Sequence, residues 1–357
     1  MESASTKDIY TANKYISNPP LDYSNTRILS LQTTTPEGNV TLASENSKKG
    51  LALAKTFFPP LPIEMIIPLT AYPKPLQAQG FLMKNNIHTA IHKLNPFKVP
   101  GIDRIQNIII QQCAEMIIDH LYHLFQVILK YNTYPDRWLT ILIVVLHKPG
   151  KRSYNVMKAY QPIRLLETID KLFSSLVATD ISFLIEKHGL LPPTRFRGRP
   201  GRCTTDVMHL IVSKVKDTWR NDKVTAALFL NIQTTFLNTV KARLIHNMRN
   251  HKVPAQYIHL IDNILSNRKI QLRLDDFTSE PIDITNGTTQ GCPLLMLLYT
   301  FYNANLIDIT KGKDELSTGF VDDCAFVAIM DNLDNAKKYD GTQRRSTQMV
   351  IQSQLPL

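Results

Sequence analysis

Apolar residues recur at spacings of three and four along most of this chain, and shorter stretches between them alternate with period two, so the pattern predicts helices interleaved with strands. Ile105, Ile108, Ile109, Met116, Ile117, Leu121, Leu124, Phe125 and Ile128 predict one long helix with a buried face. LTILIVVLHKPGKRSY reads as a buried strand running into a basic turn, and KLFSSLVATDISFLIEKHG as a helix stopped at Gly189. A further helix carries Val207, Ile211, Val215 and Trp219 on one side. KVTAALFLNIQ is strand-like, VKARLIHNMRNH and AQYIHLIDNILSN are helical, and LLMLLYTFYNANLIDI has the length of a helix. Two hairpins are predicted, one around Asp275-Asp276 and one around Asp322-Asp323 in TGFVDDCAFVAIM. Asp favours turns because its side chain bonds its own backbone, so the dipeptide alone identifies nothing more than a turn.

The pattern weakens at both ends. Residues 1–75 combine prolines with Ser/Thr/Asn clusters, and FFPPLPIEMIIPLTAYPKP cannot be helical throughout, so they are expected to form an extension or linker. Regular structure is expected from residue 76, opening with a short helix in KNNIHTAIHKL, and residues 333–357 form a polar, divergent tail.

Composition narrows the function classes. A chain of 357 residues with 43% hydrophobic content has enough apolar material for a sizeable core. Its net charge of +11 favours a polyanionic partner, nucleic acid above all. Cys113, Cys203, Cys292 and Cys324 lack zinc-module spacing and fit a reducing compartment. The N-terminus has no signal-peptide pattern, and the longest dense apolar run is too short for a bilayer, so an intracellular chain without a membrane partner is expected.

Asp322-Asp323 gains a chemical meaning only with companions. Joining a nucleotide to a 3′-hydroxyl uses two hard cations held by carboxylates on rigid strands, with basic groups for the triphosphate. VPGID, HKPGK, YQPIRLLETIDK, FRGRPGRCTTD, LFLNIQTTF, NGTTQGCPLLMLLY and GFVDDCAF follow one another in that order. In order and spacing they resemble the reverse transcriptases of non-LTR (LINE-type) retrotransposons, over roughly residues 80–332.

The resemblance implies an α+β right-hand polymerase fold with an antiparallel palm sheet backed by helices, fingers over about 76–220, palm over about 221–332, and no thumb. It implies an RNA-directed DNA polymerase using Mg²⁺, deoxynucleoside triphosphates, an RNA template and a DNA primer, with nuclear residence following from the family's mode of insertion. Asp322 and Asp323 would be catalytic, metal-binding acids. Phe236 stands where the family discriminates against a sugar 2′-hydroxyl. Gln290 and Gly291, with Gly287, would support template and nucleotide, and Lys148 and Lys151 would meet incoming phosphates. Arg195, Arg197, Arg199 and Arg202 form a cluster suited to phosphate contacts. Asp275-Asp276 matches no catalytic position and keeps its turn role.

The pattern breaks at Asn231, in LFLNIQTTF, where the family carries its first metal-bridging aspartate. An amide offers one neutral carbonyl oxygen where a carboxylate offers two oxygens and a charge. Gln161 replaces a triphosphate-binding arginine, and Cys292 and Leu295 replace a usual Asp and Ser. With the chain ending soon after the hairpin, these changes predict a catalytically impaired, truncated copy. The alternative is a noncatalytic nucleic-acid-binding remnant; an unrelated metal-dependent nuclease would need a carboxylate cluster that the sequence does not assemble.

Overall fold

The computed structural model describes residues 27–34, 39–60, 67, 70–78, 80, 82–231, 236, 238–288, 292–308, 310, 312–321 and 323–332, with the backbone alone at 34, 231 and 295. The strands are β1 Leu31–Thr34, β2 Val40–Ala43, β3 Thr140–His147, β4 Tyr160–Leu165, β5 Val224–Asn231, β6 Arg268–Leu274, β7 Phe277–Thr278, β8 Ile282–Ile284, β9 Glu315–Phe320 and β10 Asp323–Met330. The principal helices are α1 Asn46–Phe57, α2 Lys84–His92, α3 Asn107–Gln112, α4 Ala114–Tyr131, α5 Thr168–His188, α6 Thr204–Arg220, α7 Lys241–Asn250, α8 Ala255–Ile264 and α9 Pro293–Tyr302. Helices and predominantly antiparallel strands thus form an α+β domain.

Beside the two-stranded β1–β2 sheet, two larger sheets organise the described residues. In the larger, β3 pairs antiparallel with β4 and parallel with β6, and β6 also pairs with β7 and β8. One face of β3, with Ile141, Ile143 and Val145, is buried in a core, while the other passes from buried Leu142 through half-buried Val144 to exposed Leu146. In the smaller sheet β10 lies between β5 and β9, antiparallel to both. One face of β10 packs Ala325 and Val327 on Phe196, Val207 and Ile211, while the other packs Cys324 and Phe326 on Leu306 and Ile307. The largest apolar core joins α2, α4, α5, α7, α8 and α9, with Phe125, Phe173, Leu184, Leu260 and Phe301 among its buried members.

Several expectations change. Residues 27–58 are not a structureless extension: β1, β2 and α1 lie on the larger sheet, with Leu31, Leu53 and Phe57 sharing a core with Ile143 and Leu272. These elements are short, with strands of four residues each, so their period is weak beside the proline-rich stretch that follows. The long helix is broken at Cys113, whose φ/ψ of −93°/6° separates α3 from α4, and Met116 and Ile109 are exposed rather than core. The apolar spacing was counted straight through the break, which shifts the buried face to Ile110, Ala114, Leu121, Phe125 and Ile128. Finally, residue 220 is no spatial boundary, because β3 and β4 share a sheet with β6, β7 and β8 from beyond it. The parallel β3–β6 pair needs a long crossover, and the chain returns to the first sheet after building β5. Elsewhere, Trp219 is 66% exposed rather than sharing the buried side of Val207 and Ile211, and the apolar helix from Leu294 breaks at Asn303, whereas α5 ends at Gly189 in the left-handed conformation (φ 59°), as its spacing predicts.

Candidate active site

The β9–β10 hairpin closes on the pair Phe320↔Asp323, with Val321 in its turn. Asp322 itself lies outside the described residues. β10 runs antiparallel along β5 in an unbroken ladder from Met330↔Val224 to Asp323↔Asn231. The last rung sets Asn231 directly across from the exposed Asp323. Directly opposed residues in such a ladder have Cα atoms about 4.5–5.5 Å apart. Position 231, which the resemblance makes that of the first metal acid, is therefore the immediate cross-strand neighbour of Asp323.

Val321 holds a φ of 59°, the left-handed region that β-branched residues avoid. Its carbonyl accepts hydrogen bonds from Arg195 Nη2 at 2.7 Å and from Asn303 Nδ2 at 3.0 Å. Arg195 is fully buried, and its own backbone runs beside β9: Phe196 N–H donates to Gly319 O (3.0 Å) and Gly319 N–H donates to Thr194 O (3.1 Å). Gly319 is required there, since a Cβ would collide with Arg195 Nη1 and sit 2.9 Å from Ile307 Cδ1.

The arginine cluster therefore divides. Arg199 is buried and donates to both carboxylate oxygens of Glu186 (2.6 and 2.7 Å) and to Pro192 O. Its guanidinium holds the Glu186 carboxyl below the usual carboxylate range, against the opposing pull of partial burial. Arg202 lies over the Phe196 ring and donates to Pro193 O; burial and then Arg199 push its pKa down. Arg197 is exposed, above the Phe320 ring at 5.5 Å. A count of arginines gave charge without telling which guanidiniums face inward. Sequence reasoning places Phe320 and Val321 at the approach to the turn but misses Asn303 and Gly319, for which the glycine two residues before Val321 was the available signal.

Phe236 is half-buried, its ring 5.3 Å from that of Tyr299, and its carbonyl accepts from the Thr288 backbone N–H and from Thr288 Oγ1 at 2.9 Å. The start of the NGTTQG loop is thus tied to the segment after β5. Arg268 Nη1 donates to Gly287 O at 2.7 Å; burial, then Arg164, lowers the Arg268 pKa to about 9. Gln290 and Gly291 lie outside the described residues. In the basic turn the Lys148 carbonyl is pinned by Tyr154 OH (2.9 Å) while Lys151 is exposed. Gln161 has no stand-in along its own strand. Arg164, three positions on, belongs to the opposite face of β4, where it is buried against Asp170 at 3.4 Å. Gly101 of VPGID presses on the backbone of YQPIRLLETIDK, where an added Cβ would lie 2.6 Å from Glu167 N.

Among the described residues no group of three or more His, Cys, Asp or Glu is placed to hold a metal ion. At the start of β10 the described acid is Asp323, whose backbone pairs with that of Asn231. A separate cavity of about 660 Å³ lies between α2 and α5, with Lys93, Lys98 and Lys171 on its wall and Asn86, Asn95 and Phe183 among the rest. Burial, then the nearby Lys98, lowers the Lys171 pKa. No described helix is long and apolar enough to cross a membrane.

No family model matches the chain. It is 30% identical over 229 residues to the probable RNA-directed DNA polymerase from transposon X-element of Drosophila melanogaster, covering 63% of this chain and 25% of that protein. It is 27% identical over 245 residues to the probable RNA-directed DNA polymerase from transposon BS of the same organism, covering 69% and 26% respectively. To the RNA-directed DNA polymerase from its mobile element jockey it is 23% identical over 269 residues, covering 74% and 28%. The match thus spans about a quarter of the length of these curated relatives.

Proposed function

We propose, for a chain homologous to the RNA-directed DNA polymerases of LINE-type non-LTR transposons, that residues 80–332 are the fingers and palm of a reverse transcriptase whose catalytic centre is damaged at Asn231. The β5–β10–β9 sheet is the palm, and the larger sheet belongs to the fingers although it draws strands from both sides of residue 220. The observation that carries this reading is the Asn231↔Asp323 rung, one residue from Asp322.

The reaction joins the primer 3′-oxygen to the α-phosphorus of an incoming nucleotide, with pyrophosphate leaving. Asp322 and Asp323 would hold Mg²⁺, which when bound supplies charge neutralisation and Lewis acidity at the reacting phosphate. The chain's own residues do the positioning. Phe236, its ring set against Tyr299, presents bulk toward the sugar, while Lys148 and Lys151 attract phosphates from the basic turn. Arg197 offers an exposed guanidinium beside the hairpin for primer or template backbone. If the missing carboxylate at 231 costs a few kcal/mol in the transition state, turnover falls by roughly a thousandfold, since ~1.4 kcal/mol is tenfold.

Primer extension on an RNA template with Mg²⁺ or Mn²⁺ tests the diagnosis. The chain as it stands should extend almost nothing, and Asn231→Asp should raise extension by about two to three orders of magnitude. Equal inactivity of both proteins, with template bound, would count against Asn231 as the limiting defect.

A second reading, nucleic-acid binding without chemistry, is favoured by Asn231 together with the net charge of +11 and the lysine-lined cavity. Binding that weakens steeply with salt, without extension by either protein, would support it.

A further inference from the structure

We propose that Arg195 and Asn303 are positioning residues that lock the left-handed turn at Val321 and so fix how the adjoining acids are presented. This deepens the reading of the β9–β10 hairpin as a metal-binding element and rests on it.

The physical problem is local. A two-residue turn between Phe320 and Asp323 has a positive φ at its first position, and here that position is valine. Valine resists this conformation, so the turn on its own would relax to other geometries. Its carbonyl belongs to the turn rather than to the Phe320↔Asp323 rung that closes it. Two side chains from outside the hairpin meet that oxygen: Arg195 from the segment after α5, and Asn303 from the C-terminal end of α9.

The donors themselves have little room to move. Arg195 is fully buried and Asn303 is 1% exposed. The Thr194–Phe196 backbone is bonded on both sides of Gly319, so Arg195 is registered to the same strand whose end it grips. Gly319 leaves the space in which the guanidinium lies. An arginine committed in this way cannot also reach solvent phosphate, which separates its role from that of the exposed Arg197. Because the palm acids sit at the turn and on the first residue of β10, loosening Val321 would blur the placement of both without unfolding the sheet behind them.

The test uses the full chain with Arg195→Lys and Asn303→Ala, the second guarding against failure of the first to fold. Hydrogen exchange is measured over residues 318–325, with residues 270–280 as internal reference, and Mn²⁺ binding is followed by electron paramagnetic resonance. Exchange in the first segment should rise at least tenfold, the reference should stay within twofold, and Mn²⁺ affinity should fall at least tenfold. Unchanged exchange in 318–325 overturns the proposal. So does Mn²⁺ binding equal to that of the unaltered chain. If the unaltered chain holds no Mn²⁺ at all while exchange still rises in the variants, the clamp is supported and the metal-site reading is what fails.

Discussion

The molecule contains two hairpins built on an Asp-Asp dipeptide, and they differ by one residue in where the acids fall. In β6–β7 the pair Leu274↔Phe277 closes the turn, so Asp275 and Asp276 are the turn. Asp275 takes the positive φ of 53°, which aspartate tolerates, and its Oδ1 accepts the Ile28 N–H at 3.0 Å. In β9–β10 the register shifts by one: Val321 takes the positive φ, and Asp323 becomes the first strand residue, opposite β5. The first hairpin uses its acids to make the turn comfortable and to hold the N-terminal segment. The second leaves its turn strained and puts an acid where a neighbouring strand can share a ligand with it. Strain that a free choice of residue would have removed points to a constraint from function.

The largest structural effect expected from this contrast is at Gly319. Gly319→Ala must displace Arg195 Nη1 or Ile307, so it should destabilise the protein by about 1–3 kcal/mol in denaturant unfolding. A cost near zero would mean that Arg195 is not tightly held. Glycine placed at the two positive-φ positions should separate the hairpins by sign. Val321→Gly removes backbone strain and should stabilise by about 1 kcal/mol, whereas Asp275→Gly gains freedom of φ but loses the Ile28 bond and should be neutral or mildly destabilising. Equal effects would erase the distinction between a strained and a relaxed turn.

The smallest effect is on pH dependence. Glu186 is held below the ordinary carboxylate range by Arg199, so its contribution is present above the unfolded-state value and is lost as pH falls through the lower folded value. Melting temperature measured below the ordinary carboxylate range should therefore fall more in the parent than in Glu186→Gln. Parallel curves would show that the Arg199 pair does not brace the segment carrying Arg195.

Much of this fold was legible because burial leaves a period in the sequence. β6 alternates buried Ile270, Leu272 and Leu274 with less buried polar residues, and α5 stops at the glycine that its spacing indicates. What period could not reveal was any feature set by distant chain. The break at Cys113 keeps an apolar spacing on both sides, and β1, β2 and α1 are too short to stand out beside a proline-rich stretch. The pairing of β3 with β6 joins residues well over a hundred positions apart. At the candidate site, motif order brought the strand of Asn231 and the strand of Asp323 into one reading, and they are neighbours in the sheet, whereas the inward turn of Arg195 and Arg199 depends on tertiary packing that a local count of charges cannot register.

The central claim is that position 231 and the Asp322-Asp323 pair belong to one cation site, emptied of a charge by asparagine. Mn²⁺ titration of the parent chain, Asn231→Asp, and Asn231→Asp combined with Asp323→Asn tests it directly. The account predicts at least tenfold tighter binding on restoring the carboxylate, and loss of that gain when Asp323 is neutralised. No gain from Asn231→Asp, or a gain indifferent to Asp323, would contradict it.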